Sequence, residues 1–202
     1  GLHQRQERKR GARTAPPAGE AVAPAELPPL PAAPDGALPR GFVVWTSNRA
    51  GNHDIWCLDL PDRRLRPLTG HPHTEYFPRI SPDGTRVAFS RSQVPWVSQR
   101  NYDAWDVYVL DLASGRETFV ASNANTAVWS DDGQRLIFQR LGNQCVEHTL
   151  ATGAERVLAR LGADIMLETP SWSDARRTLA VTLRGAQRAT GLIGPDGRFR
   201  KT

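Results

Sequence analysis

The stretch RISPDGTRVAFSR, residues 79–91, decides how this chain folds. Ser-Pro-Asp-Gly is a tight turn by composition: the aspartate side chain bonds its own turn backbone, and Gly84 accepts a positive φ. The alternating V-x-F that follows it reads as a half-buried strand. The pattern returns as SDDG (Ser130–Gly133) before LIF (Leu136–Phe138). It returns again, worn, as SDAR (Ser173–Arg176) before LAV (Leu179–Val181), the copies starting 49 and then 43 residues apart.

A second element recurs between the first. DIWCLDL (Asp54–Leu60) resembles DVYVLDL (Asp106–Leu112), and HTLATG (His148–Gly153) matches LDLASG one unit earlier. Everything from Gly41 onward consists of strand-length runs rich in β-branched and aromatic residues, separated by Gly, Asp, Asn and Pro, with no sustained 3.6-residue period. Periods of about 40–50 residues with four strands each are the mark of propeller blades. The expected fold is therefore all-β: a partial or small β-propeller of about four blades of four antiparallel strands. The blades fall at about 41–69, 74–122, 125–160 and 168–202, the first lacking its innermost strand. Trp129 and Trp172, with Ile80 at the matching place, are expected to wedge between blades. Asp54 and Asp106, each opening a strand, are expected to cap loop backbone.

The first 40 residues have another character. Residues 1–13 carry five basic residues against Glu7, and 14–40 are rich in Pro and Ala, so a disordered basic tail and extended linker are expected. The net charge of +5 sits mostly in this tail. A short basic run without interleaved aromatics argues against a specific nucleic-acid partner. It equally suits anionic lipid headgroups beside an upstream anchor. No run approaches the roughly 18 apolar residues of a membrane-spanning helix. The chain opens on Gly1 rather than methionine, which leaves room for a leader or anchor before it.

The runs WTSNRAGNHDIWCLDL, RLRPLTGHPHTEYFPRISPDGTRVAFSR and VWSDDGQRLIFQR resemble the WD40-like repeats of the TolB propeller family, over Gly41 to about Thr202. The resemblance weakens in the last unit, where SDAR replaces S-P-D-G. It implies a noncatalytic scaffold that binds protein partners, in the periplasm or otherwise outside the cytoplasm. Related propellers also stand beside peptidase domains, in polysaccharide lyases and in membrane-anchored sensors, so the runner-up reading is the propeller portion of such a protein. Since the family generally has six blades, a longer propeller is expected. An open arc would expose strand edges and self-associate. A four-bladed ring closed by residues 27–40 is disfavoured by their prolines.

The second repeat is lengthened by an insertion, SQVPWVSQRNYDAW, at Ser92–Trp105. Trp96, Arg100, Tyr102 and Trp105 belong to the residue types that dominate binding hot spots, and they are the candidate partner-binding residues. His71 and His73, in the GHPHTEY loop of the same face, are added to them. Together with Glu75 they form a weak metal pattern, and blade-to-blade turn residues are the favoured reading. No cofactor, metal or catalytic residue is expected: the chain has no nucleophile elbow, H-E-x-x-H or phosphate-cradling glycine loop. Cys57 and Cys145 lie a blade apart, beyond the roughly 4.4–6.8 Å of a disulfide, and are expected as free thiols.

Overall fold

The computed structural model describes residues 40–60 and 62–202, so the tail expected over 1–40 lies, apart from Arg40, outside the described residues. Those residues are all-β. The strands are β1 (Gly41–Ser47), β2 (Asp54–Leu60), β3 (Arg64–Pro67), β4 (Glu75–Ile80), β5 (Arg86–Ser92), β6 (Trp105–Asp111), β7 (Glu117–Ala121) and β8 (Ala124–Trp129). They continue with β9 (Arg135–Arg140), β10 (Gln144–Thr149), β11 (Glu155–Arg160), β12 (Met166–Ser173), β13 (Thr178–Arg184), β14 (Arg188–Ile193) and β15 (Phe199–Lys201). Four antiparallel sheets result, each in chain order: β1–β3 with three strands, then β4–β7, β8–β11 and β12–β15 with four. These are blades 1 to 4. The first strands of blades 2, 3 and 4 (β4, β8, β12) pack beside one another, which puts them innermost, around a common axis.

Local chemistry explains the blades. At the SPDG turn Ser81 Oγ donates to Asp83 Oδ1 (2.5 Å) and accepts from Arg86 N–H, while Thr85 N–H donates to the same carboxylate oxygen. Ser130, Asp132 and Gln134 repeat the arrangement in blade 3, with Gly84 and Gly133 at φ 72° and 65°. The third copy departs from it: Arg176 stands where the glycine does, and the positive φ falls one residue later, on Arg177 (47°). Hydrogen bonds to the exposed Asp83 carboxylate hold its pKa down at about 2.

One device common to the innermost strands has no signal in the residue pattern. Each breaks register with its neighbour once, at Tyr76/Arg79, Asn125/Val128 and Glu168/Ser171. Within each break a non-glycine residue adopts positive φ: Phe77 (58°), Thr126 (52°) and Thr169 (45°). A β-branched threonine in that region is strained, and such bulges bend a strand and re-aim its side chains. All three bulges lie three residues before the wedge position.

The core is a series of seams between blades. Blades 1 and 2 share Ile55, Val87, Phe89 and Leu110; blades 2 and 3 share Val107, Ala127, Trp129 and Phe138; blades 3 and 4 share Ile137, Leu167, Leu179 and Val181. Trp129 acts as the expected wedge: its Nε1–H donates to Arg79 O of blade 2 (2.8 Å), and the Arg86 guanidinium stacks over its ring at 4.8 Å. Trp172 is likewise half-buried against the seam of blades 3 and 4. Ile80 differs. It is 37% exposed, because among the described residues blade 1 offers no inner strand for it to press against. Arginines add polar ties from each blade to the next: Arg86 donates to Gly133 O (2.7 Å), and Arg135 to Asp174 Oδ1 (2.9 Å). Cys57 and Cys145 are free and buried, and burial pushes their thiols up to about 11 and about 12.

Candidate protein-binding face

The insertion of blade 2 joins β5 to β6, and its flanks are held from several sides. Ser92 N–H donates to Thr74 O and Thr74 N–H to Ser92 Oγ, which itself donates to Val94 O (2.7 Å). Thr74 Oγ1 donates to Pro95 O (3.1 Å). Gln93 Nε2 reaches both Asp106 Oδ1 and Asn123 Oδ1, and Gln93 N–H donates to Ala104 O. Val97, within the loop, is buried, at 7% exposure. Between these fixings Trp96 stands 73% exposed, beside Val94 at 50%. An exposed indole on a loop held at its flanks is what a hot spot needs: large contact area with little backbone ordering left to do on binding.

The other candidates separate. Arg100 is exposed, with its N–H on Ser98 Oγ. Tyr102 leans across to blade 4, where its hydroxyl donates to Glu168 Oε1 (2.7 Å) and accepts from Arg184 (3.3 Å). It is a tie across the blade tops rather than a free contact. Trp105 corrects the expectation outright: it is fully buried, edge-on to Tyr76 at 5.7 Å, and belongs to the interior of blade 2. It opens β6, where the ladder turns its ring inward.

His71 and His73 are built into the connection between blades 1 and 2. Asn52 Nδ2 donates to the carbonyls of both (2.8 and 2.9 Å), His73 N–H donates to His71 Nδ1 (3.0 Å), and His73 Nδ1 donates to Ser92 O (2.8 Å). Their rings meet edge to face at 4.7 Å. Glu75 is engaged by Arg91 instead, and among the described residues no three His, Cys, Asp or Glu side chains converge as metal ligands would. Of the two expected caps, Asp106 serves one, accepting from Asn123 N–H (3.2 Å). Asp54 does not: its Oδ1 is buried with no hydrogen-bond partner among the described residues.

Beneath this loop lies a charged cluster that reading the sequence missed. Arg91, 8% exposed at its side chain, donates twice to Glu75 Oε1 (2.7 and 2.5 Å) and once to Glu117 Oε2 (2.6 Å). Its guanidinium lies over Phe89 and Tyr108. Blade 3 repeats the device, with Arg140 bonded to Glu155 and over Phe138. The signal was present as F-x-R (Phe89–Arg91, Phe138–Arg140) followed by S/T-G-x-E (Ser114–Glu117, Thr152–Glu155).

Burial pushes the Asp54 carboxyl up to about 6 against the smaller pull of Arg91, and that of Glu75 to about 7 against the smaller pulls of Thr69 and Arg91. A carboxyl whose folded pKa exceeds its unfolded value near 3.9 stabilises the fold fully below that value. The contribution is lost as pH rises through the folded pKa. His53 and His71, lowered by burial, act in the opposite sense below about pH 6.5. Comparison with Asp54→Asn isolates the aspartate. Between pH 8 and pH 5 the wild type should gain about 1–2 kcal/mol on this variant, measured by urea unfolding. A pH-independent difference would refute it.

No protein-family model matches the sequence, and no curated protein matches it. Solved structures do. TolB from Acinetobacter baumannii superposes with a TM-score of 0.63 at 17% identity, over 79% of this chain and 40% of that one. A TolB-like structure from Agrobacterium tumefaciens gives 0.63 at 18%, over 84% and 62%. The fold is that of a β-propeller. An oligogalacturonate lyase from Vibrio parahaemolyticus (0.55, 18%, 83% and 49%) and a puromycin hydrolase (0.54, 19%, 74% and 26%) share it. The propeller described here spans 40% and 62% of the length of the two TolB chains. At such identities the likeness concerns fold alone, and it spans TolB structures and enzymes alike.

Proposed function

We propose that this propeller is a noncatalytic docking module, acting outside the cytoplasm, whose partner is a protein that seats on the loop face around Trp96. The observation carrying the reading is the 73% exposure of Trp96 on a loop pinned to the connections on either side of blade 2. Arg100 extends the same surface, while Tyr102 and the His71–His73 connection support it from below. Among the described residues no helix is long and apolar enough to cross a membrane.

The test places a photo-crosslinking phenylalanine analogue at position 96, and at exposed Phe119 on the outer strand of blade 2 as control, in the source cells. A discrete protein adduct from position 96 alone supports the reading. In quantitative co-purification, Trp96→Ala should lower recovery of that protein by at least about tenfold, an effect of about 2 kcal/mol, with the thermal midpoint unchanged. Equal adducts from both positions, or full recovery with Trp96→Ala, would overturn it.

A further inference from the structure

At the opposite end of the blades, where the turns lie, a cleft of about 100 Å³ opens between blades 3 and 4. Leu158, Trp172, Leu179 and Ile193 supply apolar lining, and two cations, Arg156 and Arg177, line it as well. The cleft sits where the repeat breaks down. In blades 2 and 3 the turn glycine is Gly84 or Gly133, and the arginine opening the next strand (Arg86, Arg135) reaches over to the following blade. In blade 4 the glycine is replaced by Arg176, the strand opens on Thr178, and the positive φ falls on Arg177. An arginine has moved one place back along the chain, and it borders the seam with the preceding blade.

That displacement leaves Arg177 unspent. Its backbone N–H donates to Asp174 O, yet among the described residues no carboxylate pairs with its guanidinium. Asp174 is occupied by Trp172 Nε1 and Arg135, and Arg156, 50% exposed, leans on Glu147 at 2.9 Å. An unpaired guanidinium at the mouth of a hydrophobic recess selects an anion, and a carboxylate matches its planar fork. The recess accommodates one small apolar group. We infer that this cleft binds a carboxylate bearing a short branched or cyclic apolar group, either as a free acid or as the apolar C-terminal residue of a polypeptide.

Titration of the whole chain, followed by amide NMR shifts, with 3-methylbutanoate and with Gly-Gly-Leu in free and amidated form, tests it. Saturable binding in the millimolar range is expected, localised to Leu158, Trp172 and Arg177. Arg177→Gly, which suits the local φ, should weaken it by about tenfold, and amidation of the peptide likewise. Arg177→Asn, also tolerant of positive φ, serves as the second variant, read against each protein's thermal midpoint. Free peptide binding about tenfold tighter than the acid assigns the site to a chain end, and comparable affinities assign it to the free acid. Absence of saturation by about 20 mM, or retention of affinity by both folded variants, would overturn the inference.

Discussion

Replacing Arg91 with alanine should cost about 3–5 kcal/mol, lowering the thermal midpoint by roughly 10 °C or more. The reason lies in what remains. Glu75 is fully buried, with one carboxylate oxygen lacking a hydrogen-bond partner among the described residues, and Arg91 supplies the cation against it. Removing the guanidinium strands that carboxylate in a low-dielectric seam and releases Glu117 from the same pair. The penalty should shrink at acid pH, since an unpaired Glu75 escapes by binding a proton. Arg91→Met with Glu75→Leu, which removes both charges and refills the space, should recover most of the loss. A midpoint for Arg91→Ala within about 2 °C of wild type at pH 8, by calorimetry, would show that the cluster does not hold the strands of blade 2 together.

Trp129→Ala should be comparably severe, at about 3–5 kcal/mol in urea unfolding. The ring fills the seam between blades 2 and 3, its N–H satisfies a carbonyl of the neighbouring blade, and Arg86 stacks on its outer face. Trp129→Phe keeps most of the volume and loses chiefly the hydrogen bond, so about 1 kcal/mol is expected beyond repacking. Ile80→Ala is the internal comparison: it holds the same place in the repeat but stands 37% exposed, and should cost less than about 1 kcal/mol. If Ile80→Ala proved as costly as Trp129→Ala, the wedge would not owe its effect to a neighbouring inner strand.

These two residues also show what a sequence can disclose. The turns at Ser81–Gly84 and Ser130–Gly133 were legible because their chemistry is local: a hydroxyl, a carboxylate and a glycine within four residues. Trp129 was legible as a wedge because it recurs at a fixed place before each turn. The inner-strand bulges were not, since Phe77, Thr126 and Thr169 are forced into positive φ by surrounding structure, and none is a glycine. The loop after β5 was recognisable by its length, yet the inward turn of Trp105 and the reach of Tyr102 to Glu168 depend on partners from other strands and another blade. The Arg91 cluster lay between these extremes. Its two motifs repeat in the sequence, but only the folding of β7 back beside β6 brings Glu117 to the arginine.

The arginine ties run in a single direction, Arg86 onto the turn of blade 3 and Arg135 onto that of blade 4. For a nascent chain leaving the ribosome this sets a timetable, because Arg86 must wait for 47 and Arg135 for 39 further residues before its guanidinium meets an acceptor on the next blade. Synthesis thereby zips the molecule shut from the amino-terminal side, with every new paddle locking the one made before it.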